Sequence, residues 1–372
     1  MRVVWYHTDM PFGGAEMVTI SIIKGLIDTN SLIHPIILTS NLTADLPGIE
    51  IHTLDKNLTP HNAEGRNAII AKLRELRADV YVQPQDSSPG WLTELRKAMP
   101  TLKIIYHMHS IPFWQVTHKT SGKIVKQLRE KLFHSYTKRY LRRFQADYAA
   151  SDQWVTLCDK YTANMRSILG QRVTTMYNPI ELDKYTPLRH AAKQKEVLCM
   201  SRLTRRDKRL DRMLKIWEKV HMYFPDWKLK IVGSGEDELP LKRMAKRLRL
   251  SNIEFCGYSN TPTEHYKTAS ILCLTSDIEG WGLVIIESLA SGVRPLVMNC
   301  SDGISEIVEN TGIRSVGAGD INAFTKELRN MMNEELQVPP LPEFLQTLDY
   351  TNIATQWQEL FKNLANREVA CD

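Results

Sequence analysis

Two carboxylates eight residues apart, Glu279 and Glu287, frame the densest stretch of potential chemistry in the 372-residue sequence, Thr275 to Gly292. Ionised carboxylates only accept hydrogen bonds, which suits hydroxyl-rich rings such as a sugar or a ribose. Between them, Gly280 and Gly282 allow backbone amides to approach an anion, and a helix beginning near Leu283 would add about half a positive charge at its N-terminus. Glu287 would stand about one turn into that helix, roughly 6 Å along its axis. The pair could address opposite ends of one ligand. A plainer reading has Glu279 complementing the helix dipole and Glu287 as a solvated helix carboxylate. The apolar run Val284, Ile285, Ile286 and Leu289 around Glu287 would make an unpaired carboxylate there costly.

Positive charge to complement this stretch lies in Ser201 to Leu210, where Arg202, Arg205, Arg206, Lys208 and Arg209 follow an expected strand. An arginine fork and a lysine point charge at a strand end make a reasonable diphosphate clamp; a solvated basic loop is the other reading. Near the N-terminus, Gly13-Gly14 sits between an expected strand and an expected helix, although any tight turn would use such a pair. Gly233-Ser234-Gly235 also follows an apolar run, but Glu238 occupies the third glycine position, so a dinucleotide fingerprint is not supported. His107 and His109 close another strand; they are either ligand-positioning groups or ordinary histidines, and zinc would need further ligands that the sequence does not place.

The elements that must position these residues alternate. Arg2 to His7, Pro35 to Leu38, Glu50 to Leu54, Asp79 to Gln83 and Leu102 to Tyr106 read as strands; Gly14 to Ile27, Ala63 to Leu76 and Trp91 to Lys97 read as helices. The rhythm restarts with strands at Val197 to Met200, Leu229 to Val232, Ile253 to Cys256, Ile271 to Leu274 and Pro295 to Met298. Helices are expected at Arg209 to His221, Leu239 to Leu248, Val284 to Ser291 and Ile321 to Asn333. Alternation of this kind predicts two α/β domains with parallel sheets. Their junction is expected within Tyr177 to Pro187, where prolines and polar residues interrupt the pattern. The expected division is 1–178, 179–350 and a C-terminal helical segment 351–372 that could return to the N-terminal domain.

Composition narrows the class. A 43% hydrophobic and 24% charged chain excludes disorder and collagen. No apolar stretch is long enough to span a membrane and no secretory h-region stands at the N-terminus, which predicts a cytoplasmic protein. The six cysteines are scattered through apolar runs and read as small hydrophobes rather than disulfides or zinc ligands. The net charge of +6 is concentrated: Lys119 to Arg143 holds nine basic residues and one acidic residue, Glu130. The remaining chain is slightly acidic.

Taken in order, these segments resemble the retaining glycosyltransferases of family 4, including bacterial polysaccharide and lipopolysaccharide enzymes. The resemblance rests on Gly13-Gly14, His109, Tyr177-Asn178-Pro179-Ile180, Arg202 with Lys208, Gly233-Ser234-Gly235, Phe255-Cys256-Gly257-Tyr258 and the Glu279/Glu287 pair. It implies an α/β GT-B fold, two facing Rossmann-like domains with parallel sheets, the first binding acceptor and the second a sugar nucleotide. It also implies transfer of a hexose-type sugar from a nucleoside diphosphate sugar, UDP-linked, to a hydroxyl of a glycan or lipid-linked acceptor, without metal or resident cofactor. By the same resemblance the diphosphate contacts Gly13, Gly14, Arg202 and Lys208. Glu287 holds the ribose, Glu279 the donor sugar, and the backbone of Gly280, Trp281, Gly282 and Leu283 the sugar or phosphate. His109 is assigned to the reacting carbon, and Phe255, Gly257 and Tyr258 to the base. Arg209 departs from a frequent glycine and Trp281 from a more usual Phe or Tyr, which bears on donor preference rather than on the reaction.

The basic stretch carries a separate expectation. Ile124, Leu128, Leu132, Tyr136, Tyr140 and Phe144 recur at helical spacing beside its charge. This suits a helix docked on the anionic inner face of the plasma membrane, or an ordinary helix that buries its stripe. Nucleic acid is not expected, since no recognised module accompanies the charge. The rival functions are a non-catalytic sugar-nucleotide-binding, membrane-docking protein and a sugar-nucleotide epimerase of similar architecture.

Overall fold

A computed structural model of the chain describes residues 1–11, 13–84, 88–113 and 126–366, with side chains omitted at 126–136. The chain divides into two units, Met1–Pro179 with Tyr350–Asp372, and Ile180–Asp349.

The first unit alternates β1 (Arg2–Met10), α1 (Gly14–Asp28), β2 (His34–Leu42), β3 (Glu50–Thr53), α2 (Ala63–Glu75), β4 (Val80–Pro84), α3 (Trp91–Ala98) and β5 (Lys103–His107). It continues through α4 (Lys126–Ala150), β6 (Gln153–Thr156), α5 (Asp159–Leu169) and β7 (Val173–Thr175). The strands pair in parallel in the order β3-β2-β1-β4-β5-β6-β7. Helices cover both sheet faces, so the central strands are continuous apolar runs rather than alternating ones. Val4, Tyr6, Ile36 and Ile104 pack with Leu73, Trp91 and Phe144 in one core layer.

The other face explains the C-terminal helix, α14 (Tyr350–Asn366), which returns to the first unit. Trp5 meets Trp357 and Phe361 with ring centroids 6.4 and 5.7 Å apart. Gly25 permits this approach: a Cβ there would lie 2.5 Å from the Tyr350 carbonyl oxygen. A mid-helix glycine costs about 0.5–1 kcal/mol, offset here by the close helix packing.

The second unit contains α6 (Leu182–Tyr185), β8 (Glu196–Met200), α7 (Leu210–Glu218), β9 (Lys228–Val232), α8 (Glu238–Arg247), β10 (Ile253–Gly257), α9 (Pro262–Thr268) and β11 (Ile271–Leu274). After these come α10 (Leu283–Ala290), β12 (Arg294–Asn299), α11 (Asp302–Thr311), β13 (Arg314–Gly317), α12 (Ile321–Asn333) and α13 (Phe344–Thr347). Its parallel sheet runs β10-β9-β8-β11-β12-β13. Val197, Ile231, Ile271 and Leu296 pack with Met213, Trp217 and Phe324. The Ile180 amide donates to the Leu348 carbonyl at 2.9 Å, joining the unit's beginning to its end.

Several elements lie outside the spans expected from the sequence. β6 and β7 are short and carry Gln153, Thr156, Thr174 and Thr175, so no hydrophobic run announces them. α11 begins at a serine cap, the Ser301 hydroxyl accepting from the Ile304 amide at 3.3 Å, and ends at Gly312 in the left-handed region. β1 also runs three residues past His7, to Met10, because its edges are paired with β2 through Leu42.

The membrane-docking stretch falls largely outside the described residues: 119–125 are not described, and α4 is described without side chains to 136. Within its described part, Phe144 is buried in the core, so the apolar stripe there is not a free face. Among the described residues no helix is long and apolar enough to cross a membrane.

Candidate functional site

In the second unit the sheet order changes direction between β8 and β11, which pair directly through Val197 and Leu198 with Ile271 and Leu272. The chain leaves these two strands toward opposite sides, and such a point at the carboxyl ends of parallel strands opens a crevice. The loops that follow β8 and β11 are the basic stretch 201–209 and the glycine-bearing stretch 275–282. Residues remote in sequence meet there.

Lys208 Nζ lies 2.6 Å from Glu279 Oε2, with both side chains 15% exposed. Backbone and side chains brace this contact. The Asp277 amide donates to the Asp207 carbonyl at 2.8 Å. Arg209 Nη1 and Arg212 Nη2 donate to Asp277 Oδ2 at 2.7 and 3.0 Å. Asp207 in turn accepts from Thr204 and from Arg202 Nη2, the latter at 3.2 Å. Arg202 itself is 72% exposed and reaches solvent.

Arg209 has φ of 51°, in the left-handed region, which is where the resemblance expects glycine. A side chain there is strained by roughly 1–2 kcal/mol. Its guanidinium compensates by donating to both Asp211 oxygens at 3.1 Å and to Asp277.

The glycine loop is shaped by close contacts. Gly282 has φ of 81°, and a Cβ there would approach Ile285 Cδ1 and Ile304 Cδ1 to 2.9 and 3.0 Å. Trp281 is buried, its ring 6.4 Å from Phe344, so this position offers backbone rather than an exposed ring. α10 starts at Leu283; its Ile285 amide donates back to the Gly282 carbonyl at 2.9 Å, and the amides of Leu283 and Val284 precede the first intrahelical bond.

Glu287 lies on α10 and is partly buried. Its Oε2 accepts from the Tyr266 hydroxyl at 2.7 Å, and Tyr185 faces the same carboxylate. Burial raises its carboxyl above the usual range, and the two phenols offset part of that rise. A solvated helix carboxylate is therefore not what the fold builds. Tyr266, Tyr185, Asp277 and Arg212 were not anticipated from the sequence.

Gly233 and Gly235 serve the backbone. A Cβ on Gly233 would lie 1.9 Å from the Ser201 carbonyl oxygen, and one on Gly235 would lie 2.7 Å from that of Leu203. The Leu203 amide donates to Ser234 at 2.8 Å, so the loops after β8 and β9 clasp each other. Of the residues assigned to the base, Gly257 faces open space and Tyr258 is exposed. The Phe255 ring is partly buried against the core, with Lys242 Nζ 5.7 Å from its centroid.

In the first unit, the Gly13 amide donates to Glu16 Oε2 at 2.8 Å as α1 begins. Glu16 Oε1 also lies 3.6 Å from His7 Nδ1, and His7 Nε2 pairs with Thr19 Oγ1 at 2.9 Å. Burial alone would raise the Glu16 carboxyl, but His7 and the Gly13 amide hold it below its ordinary value. Gly14 opens the helix. His107 is fully buried, 5.1 Å from the Trp357 ring, and burial pushes it down to about 3. The His109 ring stands 3.9 Å from that of His107 and is also held neutral by burial. Among the described residues no group of three His, Cys, Asp or Glu side chains is placed to hold a metal ion.

Residues 184–345 match the family model described as glycosyl transferases group 1. The chain is 42% identical over 104 residues to an uncharacterized glycosyltransferase of Haemophilus influenzae, covering 28% of this chain and 30% of that protein. It is 32% identical over 146 residues to an amylovoran biosynthesis glycosyltransferase of Erwinia amylovora, covering 39% and 40%. The chain thus spans less than half the length of these curated relatives.

Solved structures match over nearly the whole chain. A lipopolysaccharide outer core galactosyltransferase superposes with a TM-score of 0.70 at 16% identity, covering 98% of this chain and all of that one. An Anabaena protein in complex with UDP-glucose gives 0.73 at 16% identity, covering 98% and 100%. The sucrose-phosphate synthase of Thermosynechococcus elongatus gives 0.78 at 15% identity, covering 98% and 99%. The fold is an α/β GT-B fold.

Proposed function

We propose that this chain is a retaining glycosyltransferase that moves a hexose-type sugar from a nucleoside diphosphate sugar, UDP-linked, to a hydroxyl of a glycan or lipid-linked acceptor. The product belongs to cell-surface polysaccharide or lipopolysaccharide. The carrying observation is the Lys208–Glu279 contact at the switch point of the sheet, inside the stretch that matches the family model.

The chemistry follows from charge. As the bond to the sugar breaks, negative charge grows on the diphosphate and positive charge on the sugar. Lys208, Arg202 and the first amides of α10 stabilise the leaving diphosphate without a metal ion. Glu279 holds the sugar's hydroxyls and Glu287 the ribose, both as acceptors. The acceptor hydroxyl attacks from the face the diphosphate leaves, passing its proton to the departing phosphate oxygen as the anomeric C–O bond to phosphate breaks, which retains the anomeric configuration.

The test incubates purified protein with UDP-, GDP-, ADP- and dTDP-sugars, with and without acceptor extract and EDTA. Nucleoside diphosphate release that requires acceptor and survives EDTA, with a retained anomer by NMR, is expected. No release with any donor would overturn the reading in favour of a binding protein, and conversion of the donor without acceptor would favour an epimerase. The charge of residues 119–143 supports docking on the anionic inner membrane face, where a lipid-linked acceptor is presented. Flotation with anionic but not neutral vesicles is the expected result; equal flotation, or none, would remove that part.

A further inference from the structure

Glu287 is held by an unusual partner for a carboxylate in an apolar setting. Val284, Ile285, Ile286 and Leu289 surround it in sequence on α10, yet the side chain that meets it at 2.7 Å is a neutral phenol, Tyr266. Tyr266 is fully buried on α9 and its ring packs edge-on against Tyr185, with centroids 6.1 Å apart and planes at 70°. The phenol therefore cannot swing away without opening the interior.

A cation would cancel the charge of Glu287 and compete for its oxygens. A phenol does neither: it fixes the carboxylate with a charge-assisted hydrogen bond and leaves the negative charge in place. An ionised carboxylate has about four lone-pair sites, and the Tyr266 hydroxyl occupies about one of them. The remainder can accept from a vicinal pair of ligand hydroxyls.

We infer that Tyr266 is a positioning residue that orients Glu287 toward the ribose hydroxyls, and that this hydrogen bond sets the preference for a ribonucleotide over its deoxy counterpart. The inference rests on the reading of the second unit as the sugar-nucleotide site. Tyr185 acts in the same direction, because it faces the same carboxylate and backs the Tyr266 ring.

Titration calorimetry on the full chain tests it with UDP, 2′-deoxy-UDP and 3′-deoxy-UDP. The unmodified protein is expected to prefer UDP over at least one deoxy analogue by roughly ten- to a hundredfold, the range of a hydrogen bond to a charged group. In Tyr266→Phe that preference should shrink to about twofold, while binding of the deoxy analogue stays unchanged. The unchanged analogue affinity also reports that the variant is folded. Tyr185→Phe, which removes the other hydroxyl facing this carboxylate, should give an intermediate preference. A Tyr266→Phe protein that keeps the full preference would overturn the positioning role while leaving the ribose site intact. Equal binding of all three ligands by the unmodified protein would overturn the inference itself. Failure to bind any of the three ligands would instead overturn the UDP-linked sugar-nucleotide reading beneath it.

Discussion

Replacing Glu279 by Gln should tighten the grip on a free nucleoside diphosphate while abolishing most sugar transfer. Lys208 Nζ and Glu279 Oε2 are 2.6 Å apart and each side chain is 15% exposed, so the lysine is already neutralised before any ligand arrives. At an effective dielectric constant near 20 the direct attraction is about 6 kcal/mol. Desolvation and side-chain ordering consume most of it, leaving a net of roughly 1–3 kcal/mol. An incoming diphosphate must share or displace that partner. Glu279→Gln keeps the shape and removes the competing charge, so UDP affinity should rise by about five- to thirtyfold, equivalent to roughly 1–2 kcal/mol. The melting temperature without ligand should fall, because Lys208 loses its partner, and UDP should recover more stability than in the parent. Transfer should drop by at least about a hundredfold as the donor sugar loses its acceptor group. Lys208→Ala should do the reverse for UDP, weakening it by about tenfold or more. Calorimetry with UDP and turnover with the preferred donor read the two effects separately. If Glu279→Gln weakened UDP as much as Lys208→Ala does, the two residues would act as one positioned unit and the competition argument would be refuted.

Two further outcomes follow from the fold. The folded protein pushes His107 down to about 3, below its ordinary 6.5, so the neutral ring contributes stability that is complete above pH 6.5 and lost as pH falls toward 3. Urea-unfolding curves of the parent and of His107→Phe should converge by about 1.4 kcal/mol per pH unit below 6.5; parallel curves would refute the assignment. Gly233→Ala and Gly257→Ala should differ sharply, although both glycines have positive φ, because a Cβ meets the Ser201 carbonyl oxygen at 1.9 Å in the first and nothing within 4 Å in the second. The second should cost about 1 kcal/mol from backbone strain alone and the first at least about twice that; equal melting temperatures would contradict the clasp between the two loops.

Much of this was legible in the sequence because the relevant signals are local. Buried parallel strands announce themselves as short apolar runs, and β11 and α12 fall where Ile271 to Leu274 and Ile321 to Asn333 place them. Glycines and prolines mark turns over two or three residues, so the loops holding Lys208 and Glu279 were recognisable as strand-end loops. The same locality hid β6 and β7, whose polar residues interrupt the apolar run, whereas α11 does carry a helical period in Ile304, Ile307 and Val308. It also hid the fate of Phe255, since a side chain in a strand turns inward or outward according to the register with its neighbour.

By itself the sequence determined the α/β alternation, the residue types at each strand end and the chemistry those types can perform, because propensity, periodicity and turn geometry act over a few residues. Only the tertiary structure decided which of them meet. Lys208 and Glu279 are 71 positions apart and touch because β8 lies beside β11. Tyr266 reaches Glu287 across two helices. Tyr350–Asn366 packs beneath β1 because Gly25 leaves room and Trp5 offers it a face. Strand order and helix docking are set by the burial of surfaces distant along the chain, and no local pattern carries that information.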